Sequence, residues 1–375
     1  MKKSLIGIVA VLLIMIIGTN ARTDGLHEEL EKNISNKNTI LKIAGWDVYS
    51  DPTNLNKTIG FRSFEKAHDV EIQYTPLNNL DAIIEAAESK EQYDLIIISN
   101  EGVKTLHDMK LVLPLNLDKL PEYGNLHPSL KYNEWSQFKS RIFAIPWAWG
   151  PTGLMYDADK LPTPDSWEVL WDHKYTGRTA LWDDFSMIWI TALTLGFDNV
   201  YNLTKPQLNK VKEKLFHLNE HIHGYYEGKE QELNYIRHDN ILLLNSWFDP
   251  SRQLLKEGRN FKMVVPKEGA VGMFDSYLIG TNTKYENMAY HFINHQISPS
   301  VQVEMVRITG LAPANMLALS KMPKSEINAL HLDELNYFEQ MILWNVMPRR
   351  HLYEALLKEV KENFKNRKKD VNHGK

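Results

Sequence analysis

Four places in the chain set a carboxylate against an aromatic ring. They are Trp46-Asp47 with Tyr49, Trp182-Asp183-Asp184-Phe185, Trp247-Phe248-Asp249 and Met273-Phe274-Asp275. Ring faces carry negative quadrupole potential and hold ammonium or guanidinium groups, and a nearby carboxylate fixes the charge. A cleft made of such pairs suits a cationic organic ligand. The same pairs also read as core tryptophans beside helix-capping aspartates. Enzyme signatures are missing: the sequence has no Gly-x-Ser-x-Gly, His-Glu-x-x-His, Gly-x-Gly-x-x-Gly or phosphate-cradling glycine loop. His217, His221 and His223 are the metal candidates, since His217 and His221 share one face of a helix. A surface helix end is the competing reading there, and the expectation is no metal and no cofactor.

The elements that must position these groups alternate strand and helix. Leu41–Ala44, Val70–Tyr74 and Tyr93–Ile98 read as strands, with helices over Gly60–His68 and Leu80–Ser89. That order predicts twisted, mostly parallel sheets flanked by helices, with ligands outside the carboxyl ends of the strands. Trp46 and Ser99-Asn100 fall at that mouth. Loop chemistry is expected from Pro114 to Pro146, followed by an aromatic turn over Pro146–Gly150. The pattern then restarts with strands at Gly153–Tyr156, Thr179–Trp182, Ile241–Leu244 and Phe261–Val265. Helices are expected near Trp167–Trp171 and at Leu208–Asn219, the latter opened by Thr204 and Pro206. From Tyr285 helices dominate, and hinges are expected near Ala148–Gly150 and Ala270–Gly272.

The 375 residues leave room for two or three domains. Lysine and arginine number 43 against 47 acids, a balance that favours no nucleic-acid partner. Absence of cysteine removes disulfides, thiolate metal sites, cysteine nucleophiles and a lipid-modified N-terminal cysteine. Lys2-Lys3, the apolar run Leu5–Ile17 and Thr19-Asn20-Ala21 form an export leader with cleavage after Ala21. An uncleaved N-terminal anchor is the rival reading. Residues 22–39 are expected as a polar linker, and the localisation as periplasmic.

Several stretches then resemble the spermidine/putrescine-type periplasmic binding proteins of ABC transporters. They are Leu41–Asp51 with Trp46 and Tyr49, Tyr93–Ile96, Ile145–Gly150, Ser166–Gly177, Asp183-Asp184, and Pro266–Gly269 followed by Asp275-Ser276. The resemblance spans about Leu41 to Asn315. It implies an α/β, two-lobed, type II periplasmic-binding-protein fold. Each lobe would hold a mixed, mainly parallel sheet flanked by helices, with two crossover hinge segments. Lobe one is expected from 40–148 with 272–314, and lobe two from 149–271 with 315–375. The implied partners are a small cationic ligand and an inner-membrane ABC permease, with the protein itself a monomer.

By the same resemblance Trp46 and Tyr49 match aromatic polyamine contacts, Ser99 a polar contact, and Asp184 and Asp275 the amine-binding carboxylates. Departures fall at Met187, where the family has a second acid, and at Met273, Leu244, Leu311 and Glu101, where it has aromatics. Asp47, Glu101, Trp247 and Asp249 are the candidates to compensate. Losing one carboxylate from a charged-amine site costs about 1.5–3 kcal/mol, or one to two powers of ten in affinity. The alternatives are therefore an amino acid-like, quaternary ammonium, sugar or phosphonate ligand on the same fold, a secreted metal-dependent enzyme, and a sensor that works without a transporter.

Overall fold

The computed structural model describes residues 39–50, 58–332 and 337–373; the expected leader and residues 22–38 of the expected linker lie outside the described residues. The first lobe opens with β1 (Thr39–Trp46), α1 (Phe61–His68), β2 (Val70–Leu77), α2 (Leu80–Glu88), β3 (Leu95–Ser99) and α3 (Asn100–Asp108). β1 lies between β2 and β3 and runs parallel to both. Every side chain of β3 is buried, as an unbroken apolar run covered on both faces requires. The Asn79 side chain accepts from the Ala82 amide and so caps the start of α2.

Residues 114–144 form short 3-10 turns and a two-stranded hairpin of β4 (Gln137–Phe138) and β5 (Arg141–Ile142). The expected aromatic turn at Pro146–Gly150 is instead part of a strand, β6 (Ile145–Pro151), buried along its length. Proline is tolerated there because the pairing with the later strand β12 (Ala270–Ile279) slips at that point. Asp275 faces Ala148, whereas Ser276 faces Pro146, which leaves Trp147 as the extra residue of a bulge.

The second lobe contains β7 (Gly153–Asp157), β8 (Thr179–Trp182), α4 (Ser186–Thr194), α5 (Lys205–Leu218), β9 (Gly224–Tyr226), α6 (Gly228–His238), β10 (Leu243–Ser246), α7 (Phe248–Lys256) and β11 (Phe261–Val264). Its sheet order is β11-β7-β10-β8-β9. Thr204 and Gln207 make a reciprocal capping box at the start of α5, with proline in the first turn. Trp167–Trp171 forms a 3-10 helix rather than an α-helix, capped by Ser166, and buries Trp167 completely.

After β12 the chain adds α8 (Glu286–Gln296), α9 (Pro299–Thr309), β13 (Ala312–Pro313), α10 (Lys324–Ala329), β14 (Met341–Leu343) and α11 (Arg350–His373). The first sheet has the order β13-β6-β12-β3-β1-β2, with β14 beside β12. Both sheets are mixed. Helical crossovers give the parallel pairs of β1, β2 and β3, while the strands arriving from the other lobe run antiparallel.

The chain passes between the sheets at Pro151–Gly153 and again between Val264 and Ala270. It passes a third time after β14, where α11 buries Tyr353, Leu356 and Val360 in the second core. Residues 315–332 and 337–341, assigned to lobe two by the sequence, pack on the first core through Ala318, Met322, Leu330, Phe338 and Met341. Their apolar side chains meet the first-lobe face of β6 and β13, a contact with no local sequence signal. The two strands that connect the lobes touch at Gly150 and Gly272. A Cβ at Gly272 would lie 2.9 Å from the Gly150 carbonyl oxygen, so only glycine fits.

Candidate ligand-binding site

The carboxyl ends of β1 and β3 meet β12 at Asp275, opposite the bulge in β6. Ser99 ends β3 and stands directly opposite Asp275 in the antiparallel register. Glu101 lies in the first turn of α3, and the Ser99 hydroxyl donates to its Oε1 at 2.9 Å. Tyr49 lies in the 3-10 turn after β1. It is fully buried, its ring meets Trp147 edge-on at 4.7 Å, and its hydroxyl donates to Asp275 Oδ2. Tyr49 therefore holds the carboxyl in place rather than presenting an open stacking face.

Burial pushes Glu101 up to about 7, against the lowering pull of its backbone amide and Ser99. Burial also pushes Asp275 up to about 7; the Tyr49 hydrogen bond opposes this and the charge of Glu101 adds to it. The Trp46 indole N–H lies close enough to draw Asp275 downward, yet has no partner in hydrogen-bond geometry. Asp47, by contrast, is exposed at the rim. The other oxygens of both carboxyls, Asp275 Oδ1 and Glu101 Oε2, are buried without partners.

The facing lobe brings Asp184 and Trp247. Asp184 accepts from the Ser186 amide at 2.8 Å and from its hydroxyl, closing the first turn of α4. Burial pushes its carboxyl up to about 6. Trp247 packs edge-on to Trp344 at 5.8 Å and leans on the first core. Asp183 pairs with Lys361 at 2.6 Å and Asp249 pairs with Lys229, so those two acids are neutralised within the protein.

Four of the five departures, all but Glu101, are packing positions. Met187 lies fully buried in the second core, Leu244 in a smaller cluster of the same lobe, and Met273 and Leu311 in the first core. Trp147, the extra residue of the bulge, is fully buried in the first core. The histidines go to separate neighbours. His217 is exposed beside Glu220 at 3.9 Å, His221 meets the His173 ring at 4.7 Å, and His223 faces Asp239 at 3.5 Å. Among the described residues no three histidine, aspartate or glutamate side chains gather in a metal-holding group.

Two features escape local sequence reading. Trp189, Tyr201 and Trp344 form an aromatic cluster that continues to Trp247, with ring separations of 4.9 and 6.2 Å inside the cluster. Its members come from three distant segments. Glu232 on α6 is fully buried, accepts from Ser246 and is pushed up to about 8 by burial. A signal for it existed: Glu232 lies four residues before Ile236, on the helix's buried stripe with Leu233. The lobes meet around this site. Arg252 donates to the Val306 carbonyl at 2.6 Å, and Arg350 of α11 pairs with Asp81 of α2 at 3.2 Å.

Residues 61–327 match the family model described as bacterial extracellular solute-binding protein. The putrescine-binding periplasmic protein PotF of Escherichia coli is 23% identical over 298 residues, which cover 74% of this chain and 78% of that protein. The spermidine/putrescine-binding periplasmic protein of Salmonella typhimurium is 23% identical over 287 residues, covering 75% and 79%. The solved spermidine/putrescine ABC transporter substrate-binding protein PotD of Streptococcus pneumoniae superposes with a TM-score of 0.74 at 21% identity, covering 87% of this chain and 99% of that one. With the family model spanning well over half the chain, this protein belongs to the bacterial extracellular solute-binding proteins.

Proposed function

We propose that the protein is the periplasmic solute-binding component of an ABC importer and captures a polyamine or related cationic amine between its lobes. One observation carries the reading: Asp275, beside the Trp46 indole, and Glu101 each bury a carboxyl oxygen that has no partner, and no basic side chain of the described residues ion-pairs with them or with Asp184 of the other lobe. A buried carboxyl left without a cation is held neutral, and a cation supplied from outside restores its charge-assisted hydrogen bonds. The relatives named for putrescine and spermidine support the ligand class.

In this reading Asp184 and Asp275 bind the amino groups, Trp46 and Trp247 flank the ligand's carbon chain, and Tyr49 and Ser99 fix the first-lobe carboxyls of Asp275 and Glu101. Asp47 contributes charge at the rim. The lobes close over the ligand and present it to a membrane permease. The leader at 1–21 exports the chain, which works as a monomer. Calorimetric titration with putrescine, spermidine, arginine, glycine betaine and a sugar tests the reading. Saturable heat with the diamines or triamines is expected. Heat only with the sugar or a phosphonate overturns the cationic assignment. N-terminal sequencing of the exported protein should begin at Arg22; a start at Met1 overturns cleavage.

A further inference from the structure

Asp275 and Glu101 share a construction. Each carboxyl has one oxygen fixed by a hydroxyl donor, Tyr49 for Asp275 and Ser99 for Glu101, and one oxygen buried and open. The strand register sets Ser99 beside Asp275, so the residue bonded to one carboxyl is the cross-strand neighbour of the other. The Trp46 indole N–H beside Asp275 is also without a partner in hydrogen-bond geometry. The titratable groups acting on Asp275 are Tyr49 and Tyr74 from the β1 turn and β2, Tyr277 from its own strand, and Glu101 from α3. Those acting on Glu101 are Asp275 and, from the second lobe, Tyr201. None of these is basic.

We propose that Glu101 and Asp275 form a two-carboxyl seat for a single primary ammonium group, which donates one N–H to each open oxygen beside the Trp46 ring. This rests on the cationic-amine reading and narrows it. A primary ammonium has three donors, whereas a quaternary ammonium has none and leaves both open oxygens unsatisfied. The seat also makes Glu101, where an aromatic was expected, a specificity residue of this chain. Two adjacent buried carboxyls do not both ionise without a cation, and burial holds each near 7, so the empty seat keeps a proton near neutrality. Ammonium binding ionises the pair, and that proton passes to solvent. Amine affinity should then fall as the pH drops below about 7, by up to roughly tenfold per pH unit for each proton the seat must release.

Calorimetry with putrescine and choline in phosphate and in Tris near pH 7 tests this, because the two buffers differ in ionisation heat. The expected result is a buffer-dependent heat that reports up to about one proton released per putrescine. Choline should bind at least roughly tenfold more weakly. Glu101→Gln should lose most of the proton release and at least about tenfold in putrescine affinity, with its thermal midpoint unchanged or raised. Putrescine binding without proton release, with Glu101→Gln as tight as the native protein, overturns the seat while leaving the cationic reading intact. Choline binding as tightly as putrescine also overturns the seat alone. No heat with any amine overturns the cationic reading, and the seat with it.

Discussion

The two walls of the cleft solve the same problem in different ways. On the first lobe, β1, β3, α3 and β12 bring Trp46, Tyr49, Ser99, Glu101 and Asp275 together, and each carboxyl keeps an open oxygen. On the second lobe the acids are mostly engaged. Asp183 is paired with a lysine through one oxygen while its other is buried without a partner, Asp249 is paired with a lysine, and Asp184 gives one oxygen to the start of α4. Under the proposed function this difference divides the labour: a preformed carboxyl wall in lobe one, and a lobe two that supplies one carboxyl and aromatic cover on closure. Preformed groups bind strongly because their ordering cost is met in folding.

Asp275→Asn should break this comparison most visibly. Removing the carboxylate at the centre of the preformed wall should weaken putrescine roughly a hundredfold, measured by calorimetry. Asp184→Asn should cost about tenfold, since part of that carboxyl already serves the helix start. Equal losses in the two variants would erase the asymmetry between the lobes.

The pH dependence of the empty protein sharpens the comparison. Asp184, Glu101, Asp275 and Glu232 all have folded values raised above their ordinary ones, to about 6, 7, 7 and 8 respectively. The folded state therefore holds more protons than the unfolded chain across this window. The stability they contribute is complete below the ordinary carboxyl range and is lost as pH rises through about 6 to 8. The thermal midpoint should fall across that window and recover when putrescine is added. Glu232→Gln should raise the midpoint more at pH 8 than at pH 5, because only the native side chain must ionise while buried. A flat profile would mean that these acids open to solvent.

Trp247→Ala should cost several-fold in affinity, chiefly through faster release seen by stopped-flow fluorescence, because it strips closing contacts and leaves the first wall intact. Arg350→Gln should have the smallest effect. Its pair with Asp81 is exposed, nearly half at Arg350 and more than half at Asp81, and such pairs contribute about 0–1 kcal/mol. A large loss there would make the outer rim, rather than the cleft, the main hold on the closed form.

Much of the architecture was legible locally. The β1-α1-β2-α2-β3 order, the β8 and β11 strands and the Thr204 cap follow from apolar periodicity and capping chemistry. The strand at Pro146–Gly150 was misread as a turn because proline and glycine punctuate loops locally, whereas here a register slip accommodates the proline. The helical pattern of 315–332 and 337–341 does not say which sheet the segment covers, and the structure sets it on the first core. Asp275 and Asp184 were visible as acids after apolar runs, but their hydrogen bonds were not.

The sequence by itself determined the two α/β lobes, the cysteine-free chain and the supply of aromatic–acid pairs, since periodicity and composition act over a few residues. Only the tertiary structure decided which acids remain available. Lys361 reaches Asp183 and Lys229 reaches Asp249, while Tyr49, 226 residues away in the chain, meets Asp275. Whether a carboxyl is neutralised, capped or left open depends on which side chains the folded chain brings within about 3 Å, a range at which sequence separation carries no information.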